Sequence, residues 1–181
     1  MTIKTDNQVL ADIISFINSF LNNQNITGWK VLQLYQPVKL TTIEPVIYIT
    51  ATNKKRNGWQ ARYYPIINRE LKIKDKFIQE LDVQISAVRS REITDTKTTI
   101  NAADILEQLK AYMLNINVLQ NLRTLGYLIY QPSDIQKQDF INDSDNFDFM
   151  PFFNVTFIYD QTLISSQTAI SEYKQIIERL S

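Results

Sequence analysis

Residues 77–89, FIQELDVQISAVR, most constrain the fold, because apolar and polar side chains alternate along this stretch. The residues on one side of the period-two pattern are mostly polar. Those on the other side are Phe77, Leu81, Val83, Ile85 and Ala87. An amphipathic helix would instead repeat its apolar residues three and four positions apart. The alternation therefore predicts a strand with one buried face and one solvated face.

Two missing residue types exclude several classes of chemistry. The chain has no cysteine and no histidine, so disulfides, thiolate metal sites and Ser-His or Cys-His nucleophiles are absent. Only three glycines are present, and none form a phosphate-binding loop. These absences favour a binding or structural role over an enzyme. We expect no catalytic residue, no cofactor and no metal.

The length and the charge balance are typical of one soluble domain. The 181 residues suit a single domain over 1–181, and the formal net charge is +0. A chain that binds duplex DNA over a broad face would normally be basic. No apolar run approaches the length of a membrane span, and the first residues, MTIKTDNQ, lack the apolar core of a secretory signal. We therefore expect a cytosolic setting and no membrane partner.

The remaining periodicities predict an α+β order of elements. Helical spacing covers residues 6–21, and a second helical region begins after the N-cap residue Asn101 and ends at Gly126, as two helices or one kinked helix. Strand patterns cover residues 29–35, 45–52, 126–130 and 147–159. Residues 154–159 are expected beside the central strand, and Pro151 is expected at an edge or bulge. Residues 168–180 favour a terminal helix, although a strand is possible for their first half.

The segment 53–76 is basic and aromatic. Its charges are mostly positive, and Trp59, Tyr63 and Tyr64 are interleaved with Lys54, Lys55, Arg56, Arg62, Arg69, Lys72, Lys74 and Lys76. This composition fits a stacking platform for single-stranded nucleic acid. It equally fits a hairpin with solvated charges, or a subunit contact, because Trp, Tyr and Arg commonly anchor interfaces. The pattern alone does not choose among these three.

Two groups of acidic residues are candidates for chemistry. The link 134–148 carries Asp134, Asp139, Asp143, Asp145 and Asp148, which could bind a divalent cation, but it lacks the spacing and the turn glycine of an EF-hand. A solvated loop is the simpler interpretation. Glu80 and Asp82 share the polar face of the central strand, and paired acids in that position are expected to be plain solvated charges.

The order of these elements resembles the neck-terminator family of tailed bacteriophages, whose members close the tail tube at the head-to-tail joint. Three segments carry the resemblance: LDVQIS over residues 81–86, NLRTLGYLIY over 121–130, which contains Leu122 to Tyr130, and FFNVTFIYDQ within 152–161, continuing to Thr162. The resemblance implies a mainly antiparallel sheet of four to five strands with two main helices on one face. A long hairpin or loop at about 53–76 would protrude from this domain.

The resemblance also implies a function without a reaction. The chain would be a virion structural protein of the neck, assembled in the bacterial host cytoplasm. It would form a homo-oligomeric ring, commonly a hexamer, that terminates the tail tube or connects the tail to the head. Its partners would be copies of itself and adjacent neck, tail tube or sheath proteins. Genome DNA would pass through the lumen without its sequence being read.

A head-to-tail ring needs two different complementary surfaces on each subunit. We therefore expect the basic-aromatic residues of 54–76 to contact a neighbouring subunit, partly through the acidic link. The candidate interface residues are Lys54, Lys55, Arg56, Trp59, Arg62, Tyr63, Tyr64, Asp139, Asp143 and Asp145. The alternative is a nucleic-acid-binding module that uses residues 54–76. A carboxylate-based hydrolase is a third class, disfavoured by the missing histidine.

Overall fold

A computed structural model describes residues 5–34, 45–67, 70–89, 100–141 and 147–166. These residues form three helices and seven strands. The helices are α1 (Asp6–Asn23), α2 (Ala102–Met113) and α3 (Ile116–Thr124). The strands are β1 (Lys30–Gln33), β2 (Val46–Tyr63), β3 (Ile66–Ile67), β4 (Glu70–Val88), β5 (Tyr127–Ile129), β6 (Gln136–Ile141) and β7 (Phe147–Ser166). The α+β class expected from the sequence is confirmed.

The sheet is built around β4. The strand order is β1-β2-β4-β7-β5, with β6 paired to the first part of β7 and the short β3 paired to the start of β4. β4 is antiparallel to both β2 and β7, and β5 and β6 are antiparallel to β7. The pairing of β1 with β2 is parallel, so the sheet is mixed, although mainly antiparallel as expected. It has seven strands rather than the expected four to five, because β3 and β6 add to it at β4 and β7.

The two long strands expected to lie side by side do so. Leu81 pairs with Phe157 and Val83 with Val155, in an unbroken register that runs from Lys72↔Ser166 to Ser86↔Phe152. Their apolar side chains share one face and are almost fully buried. The register follows from the hydrophobic pattern, because a slip of one residue would move the apolar set of a strand to the other face.

Helices cover this apolar face. α1 begins at a capping box, in which Thr5 accepts from the amide of Gln8 and the Gln8 side chain accepts from the amide of Thr5. α2 begins at Asn101, the predicted N-cap, whose side chain accepts from the Asp104 amide at 2.8 Å. The core that the helices and the sheet enclose includes Ile17, Phe20, Ile105, Leu109, Phe153 and Phe157. None of the helices in the described ranges is long and apolar enough to cross a membrane.

The second helical region is two helices. Leu114 caps α2, and the Asn115 side chain then accepts from the amide of Asn117 at 2.9 Å, which starts α3. A side chain that satisfies the amides at a new helix start competes with continuation of the preceding helix. α3 ends before Gly126, which has φ +85° and follows the cap residue Leu125, as expected for a C′ glycine.

Several expectations differ from the structure. The strand predicted for residues 45–52 continues to Tyr63, and the strand predicted for 77–89 begins at Glu70. Part of the acidic link is a strand, β6, because β7 offers it an edge over residues 147–152. Pro151 lies in a part of β7 that pairs with β6 and not with β4. The amide hydrogen that proline lacks is therefore not needed for a hydrogen bond to β4. Residues 168–180 lie outside the described residues.

Candidate interaction surface

The segment 53–76 is a hairpin that leaves the core with the end of β7 paired along its β4 side, and we call it the arm. It consists of the end of β2, the short β3 and the beginning of β4, with Tyr63 opposite Lys74 near its far end. All residues of 51–64 are exposed. At about 3.3 Å per residue, β2 extends roughly 30–40 Å beyond the last residue that it buries. Residues 51–64 of this region therefore do not pack against the core of the same chain.

A bulge interrupts the arm and projects one tryptophan. Asn57 pairs with Ile78 and Ala61 with Lys76, so four steps along β2 span two steps along β4. Gly58 within this irregularity has φ +73°, a left-handed conformation that side chains disfavour. Trp59 follows it and is 99% exposed. The bulge thus presents a large aromatic side chain that makes almost no contact with its own chain.

Most basic residues of the arm that were named as candidates are paired within the chain. Lys54 binds the carboxylate of Asp6 in α1, and Lys55 Nζ lies 2.9 Å from Glu80 Oε2. Arg62 Nε donates to Asp75 Oδ1 at 2.8 Å and Nη2 to Oδ2 at 3.4 Å.

The arginine beside these pairs also contacts its own chain. The guanidinium of Arg56 lies 4.1 Å from the centre of the Phe77 ring, within cation–π range. Each candidate cation of β2 therefore contacts a carboxylate or an aromatic ring of the same chain.

These contacts change the ionisation of the paired groups. The hydrogen bond to Glu80 raises the pKa of Lys55, and the hydrogen bond from Arg62 lowers the pKa of Asp75. Each of these ion pairs joins a basic side chain to a carboxylate, so part of the positive charge of the arm is balanced locally. The engagement of these four cations within the chain leaves fewer of them available for phosphates, which disfavours the nucleic-acid platform.

The expectation for the acids of the central strand is wrong for Glu80. This residue is 3% exposed rather than solvated, because Lys55 and Asn57 from the facing strand cover and bind its carboxylate. Asp82 is partly exposed and accepts from Thr156 Oγ1 at 2.6 Å and Asn53 Nδ2 at 3.1 Å. Both acids hold neighbouring strands together, so neither is placed as a paired acid and base for catalysis.

Asp139, the one acidic candidate within the described residues, lies far from the arm of the same chain. Asp139 lies on β6 and pairs with Phe149, near the start of β7, whereas the nearest candidate cation of the arm, Lys54, lies level with Phe157 across β4. At about 3.3 Å per residue, Phe149 and Phe157 are roughly 25 Å apart along the strand. Asp143 and Asp145 lie outside the described residues. A contact between Asp139 and the arm would therefore have to join different copies.

Two observations bear on bound ligands. Among the described residues, no group of three or more acidic or other metal-binding side chains could hold a metal ion. A shallow, polar concavity of about 600 Å³ lies on the sheet face opposite the helices. Its lining includes one carboxylate, that of Asp82, which the hydrogen bonds from Thr156 and Asn53 already engage.

The exposed aromatic residues are what distinguish the arm. Tyr63 and Tyr64 are 53% and 58% exposed, and with Trp59 they form the aromatic set of the arm. Such residues bury large areas at little cost in side-chain entropy when a partner covers them. Sequence reasoning identified all three, but it missed Asp6 and Asp75 as partners of the arm cations. The one available signal was the hairpin pairing of β2 with β4, which places Asp75 opposite Arg62; nothing comparable points to Asp6, which lies on α1.

One comparison with known proteins identifies a family. The family model described as E217 gateway protein gp29 matches residues 8–170, from α1 to just beyond β7. The match therefore includes the arm, the central strands and all three helices. No curated protein matches the chain.

Proposed function

Because the chain belongs to the E217 gateway protein gp29 family, a bacteriophage head-to-tail connector family, we propose that it forms a ring at the phage neck. The family match over residues 8–170 is the observation that carries the proposal. It confirms the resemblance to head-to-tail joint proteins that was drawn from the sequence. In the proposal, the ring ends the tail tube or connects the tail to the head, and it acts by surface complementarity without a chemical reaction.

The arm supports a role in assembly. An exposed hairpin with one fully exposed tryptophan and two half-exposed tyrosines has the composition of an interface anchor. In this proposal Trp59, Tyr63 and Tyr64 contact the next subunit or the adjacent ring. The cations Lys54, Lys55, Arg56 and Arg62 then hold the arm in shape, since each contacts its own chain.

The wider assembly follows the same proposal. A hexamer of this chain would lie between adjacent neck and tail proteins in the virion, after assembly in the host cytoplasm. Genome DNA would pass through its lumen. Nucleic-acid binding as the main function is less well supported, because the candidate cations of the arm are engaged within the chain.

The direct test of this function is to omit the protein during phage assembly. Without it, we expect heads and tails to accumulate separately, because the surface that joins them is missing. Electron microscopy of the lysate counts joined and unjoined particles, and supplying the wild-type chain from a plasmid should restore joining. Normal numbers of complete virions without the chain would contradict the proposal.

We also propose that the acidic link of one copy contacts the arm of the next. The wide separation of Asp139 from the arm within one chain supports a contact between copies. Asp139→Lys should weaken subunit association, measured by sedimentation at low salt, while Gln138→Lys provides a control that also adds positive charge. Opposite charges of this kind steer assembly and are screened by salt. Equal association constants for the two variants would contradict the contact.

A further inference from the structure

The last part of β7 has an open edge in the described chain. The amide of Tyr130 donates to the Thr156 carbonyl at 3.0 Å and the amide of Ser133 to the Asn154 carbonyl at 2.8 Å, so even-numbered residues direct their backbone groups away from β4. β5 pairs with β7 only as far as Tyr159. After Tyr159, the even-numbered residues Thr162 and Ile164 likewise direct their backbone amide and carbonyl groups away from β4. On that side of β7 the described residues place no strand.

β2 has a second open edge on the opposite side of the same sheet. β1 pairs with β2 from Val46 to Ile49, and the Leu34 amide then donates to the Ile49 carbonyl at 2.9 Å. From Thr50 to Tyr63, the described part of the chain contains no strand on this side of β2. The arm region is thus a three-stranded sheet, β2-β4-β7, with an unpaired strand edge at each side.

The two edges lie at the same level and run in the same direction. The register across β4 aligns Thr162 with Lys76 and Ala61, and Ile164 with Lys74 and Tyr63. β2 and β7 are each antiparallel to β4, so they are parallel to one another. Rotation about the axis of a ring keeps the direction of each strand relative to that axis the same in every copy. The β7 edge of one copy can therefore meet the β2 edge of the next as a parallel pair.

We propose that successive copies join by β-strand addition, with residues 161–166 of β7 pairing with the β2 edge of the neighbouring copy. This inference rests on the proposed ring and specifies its subunit contact. Closure of the ring removes both open edges from every copy, which is how closed sheets avoid unpaired edges. The contact is head-to-tail, because it joins two different edges.

The irregularities of β2 make this pairing selective. Register shifts occur between Ala51 and Asn53 and between Asn57 and Ala61, which leave only short regular stretches of edge. An unbroken edge would accept almost any exposed strand and promote aggregation, whereas bulged edges resist such pairing. The β7 edge has no such shift over the residues that pair with β4. The regular β7 edge and the interrupted β2 edge can pair only in a register that fits the short regular stretches of β2. A second copy of the chain provides such an edge.

Engineered disulfides test the pairing in the assembled protein, since the native chain has no cysteine to interfere. Thr162→Cys would be combined in turn with Asn57→Cys, Ala61→Cys or Tyr63→Cys, to sample neighbouring registers. Neighbouring strands lie about 4.7–4.9 Å apart, within the range of Cα separations that a disulfide spans. After oxidation of the oligomer, at least one double variant should give a ladder of dimers, trimers and higher species on a non-reducing gel.

The single-cysteine variants identify other arrangements. A ladder needs two different positions, so each single variant should stay monomeric on the gel. Dimers from Ala61→Cys alone would show β2 pairing with β2, which overturns the head-to-tail contact. An oligomer that assembles but gives no ladder in any double variant overturns strand addition and leaves the ring standing. A chain that remains monomeric at every concentration overturns both the ring and the strand pairing.

A proline at the β7 edge is an independent test. The amide of Thr162 points to the open edge, so Thr162→Pro should leave the β4 ladder intact and remove a donor to the neighbouring copy. Thr162→Val, which keeps the amide, is the matched control. We expect at least a tenfold weaker self-association for the proline variant, by analytical ultracentrifugation, with a circular dichroism spectrum like that of the control. Equal association of the two folded variants would overturn the proposal.

Discussion

Phe157→Ala is expected to lower the free energy of unfolding by about 3–5 kcal/mol, the usual cost of deleting a buried aromatic ring. Phe157 is 1% exposed, pairs with Leu81 on the central strand and lies edge-on to Tyr127, with ring centres 6.4 Å apart. Removal of this ring leaves a cavity in the core that the helices and the sheet enclose. Urea unfolding followed by circular dichroism measures the change.

The neighbouring residue of the same strand provides the control. Ile158 is only partly buried and lies on the sheet face opposite the helices. Ile158→Ala is therefore expected to cost about 1 kcal/mol or less, because less apolar area returns to water. Equal losses for the two variants would mean that the helix-covered face is not the main core, which would contradict the fold described above.

Trp59→Ala is expected to weaken subunit association by about 30- to 700-fold, which corresponds to the roughly 2–4 kcal/mol that a central aromatic anchor contributes. The side chain is 99% exposed, so its removal leaves no cavity in the single chain. The free energy of unfolding should change by less than about 0.5 kcal/mol. Sedimentation equilibrium measures association, and urea unfolding of the dilute protein measures stability.

Gln60→Ala is the matched control for the tryptophan. Gln60 is exposed and lies in the same bulge, but it lacks a large apolar surface. Its replacement should leave association within about threefold of wild type. If Trp59→Ala and Gln60→Ala associate equally well, the exposed tryptophan is not an interface anchor, and another surface must join the subunits.

The sequence predicts the strands and helices where one periodicity is clear. Residues 81–87 alternate strictly, and their strand and its neighbour 154–159 form where the pattern placed them. The N-cap at Asn101 and the C′ glycine Gly126 were likewise predictable from local chemistry. These features depend on residues close together in the chain, and no tertiary contact overrides them.

Other features depend on contacts between distant residues. β1 pairs in parallel with β2, and β6 pairs with β7. The alternation of apolar and polar residues identifies a strand but does not specify which other strand it pairs with. The burial of Glu80 depends on Lys55, which lies on another strand and is brought opposite only by the register that follows the shift between Ala51 and Asn53. The arm could therefore be identified as basic and aromatic from sequence, but its internal charge pairing could not.

The central claim is that this chain assembles into a closed ring. The most direct measurement is native mass spectrometry of the purified protein, combined with class averages from negative-stain electron microscopy. The account predicts a single multiple of the chain mass, six in the proposed hexamer, and annular particles with a central opening. A mass of one chain at all concentrations, or open filaments without closed rings, would contradict it.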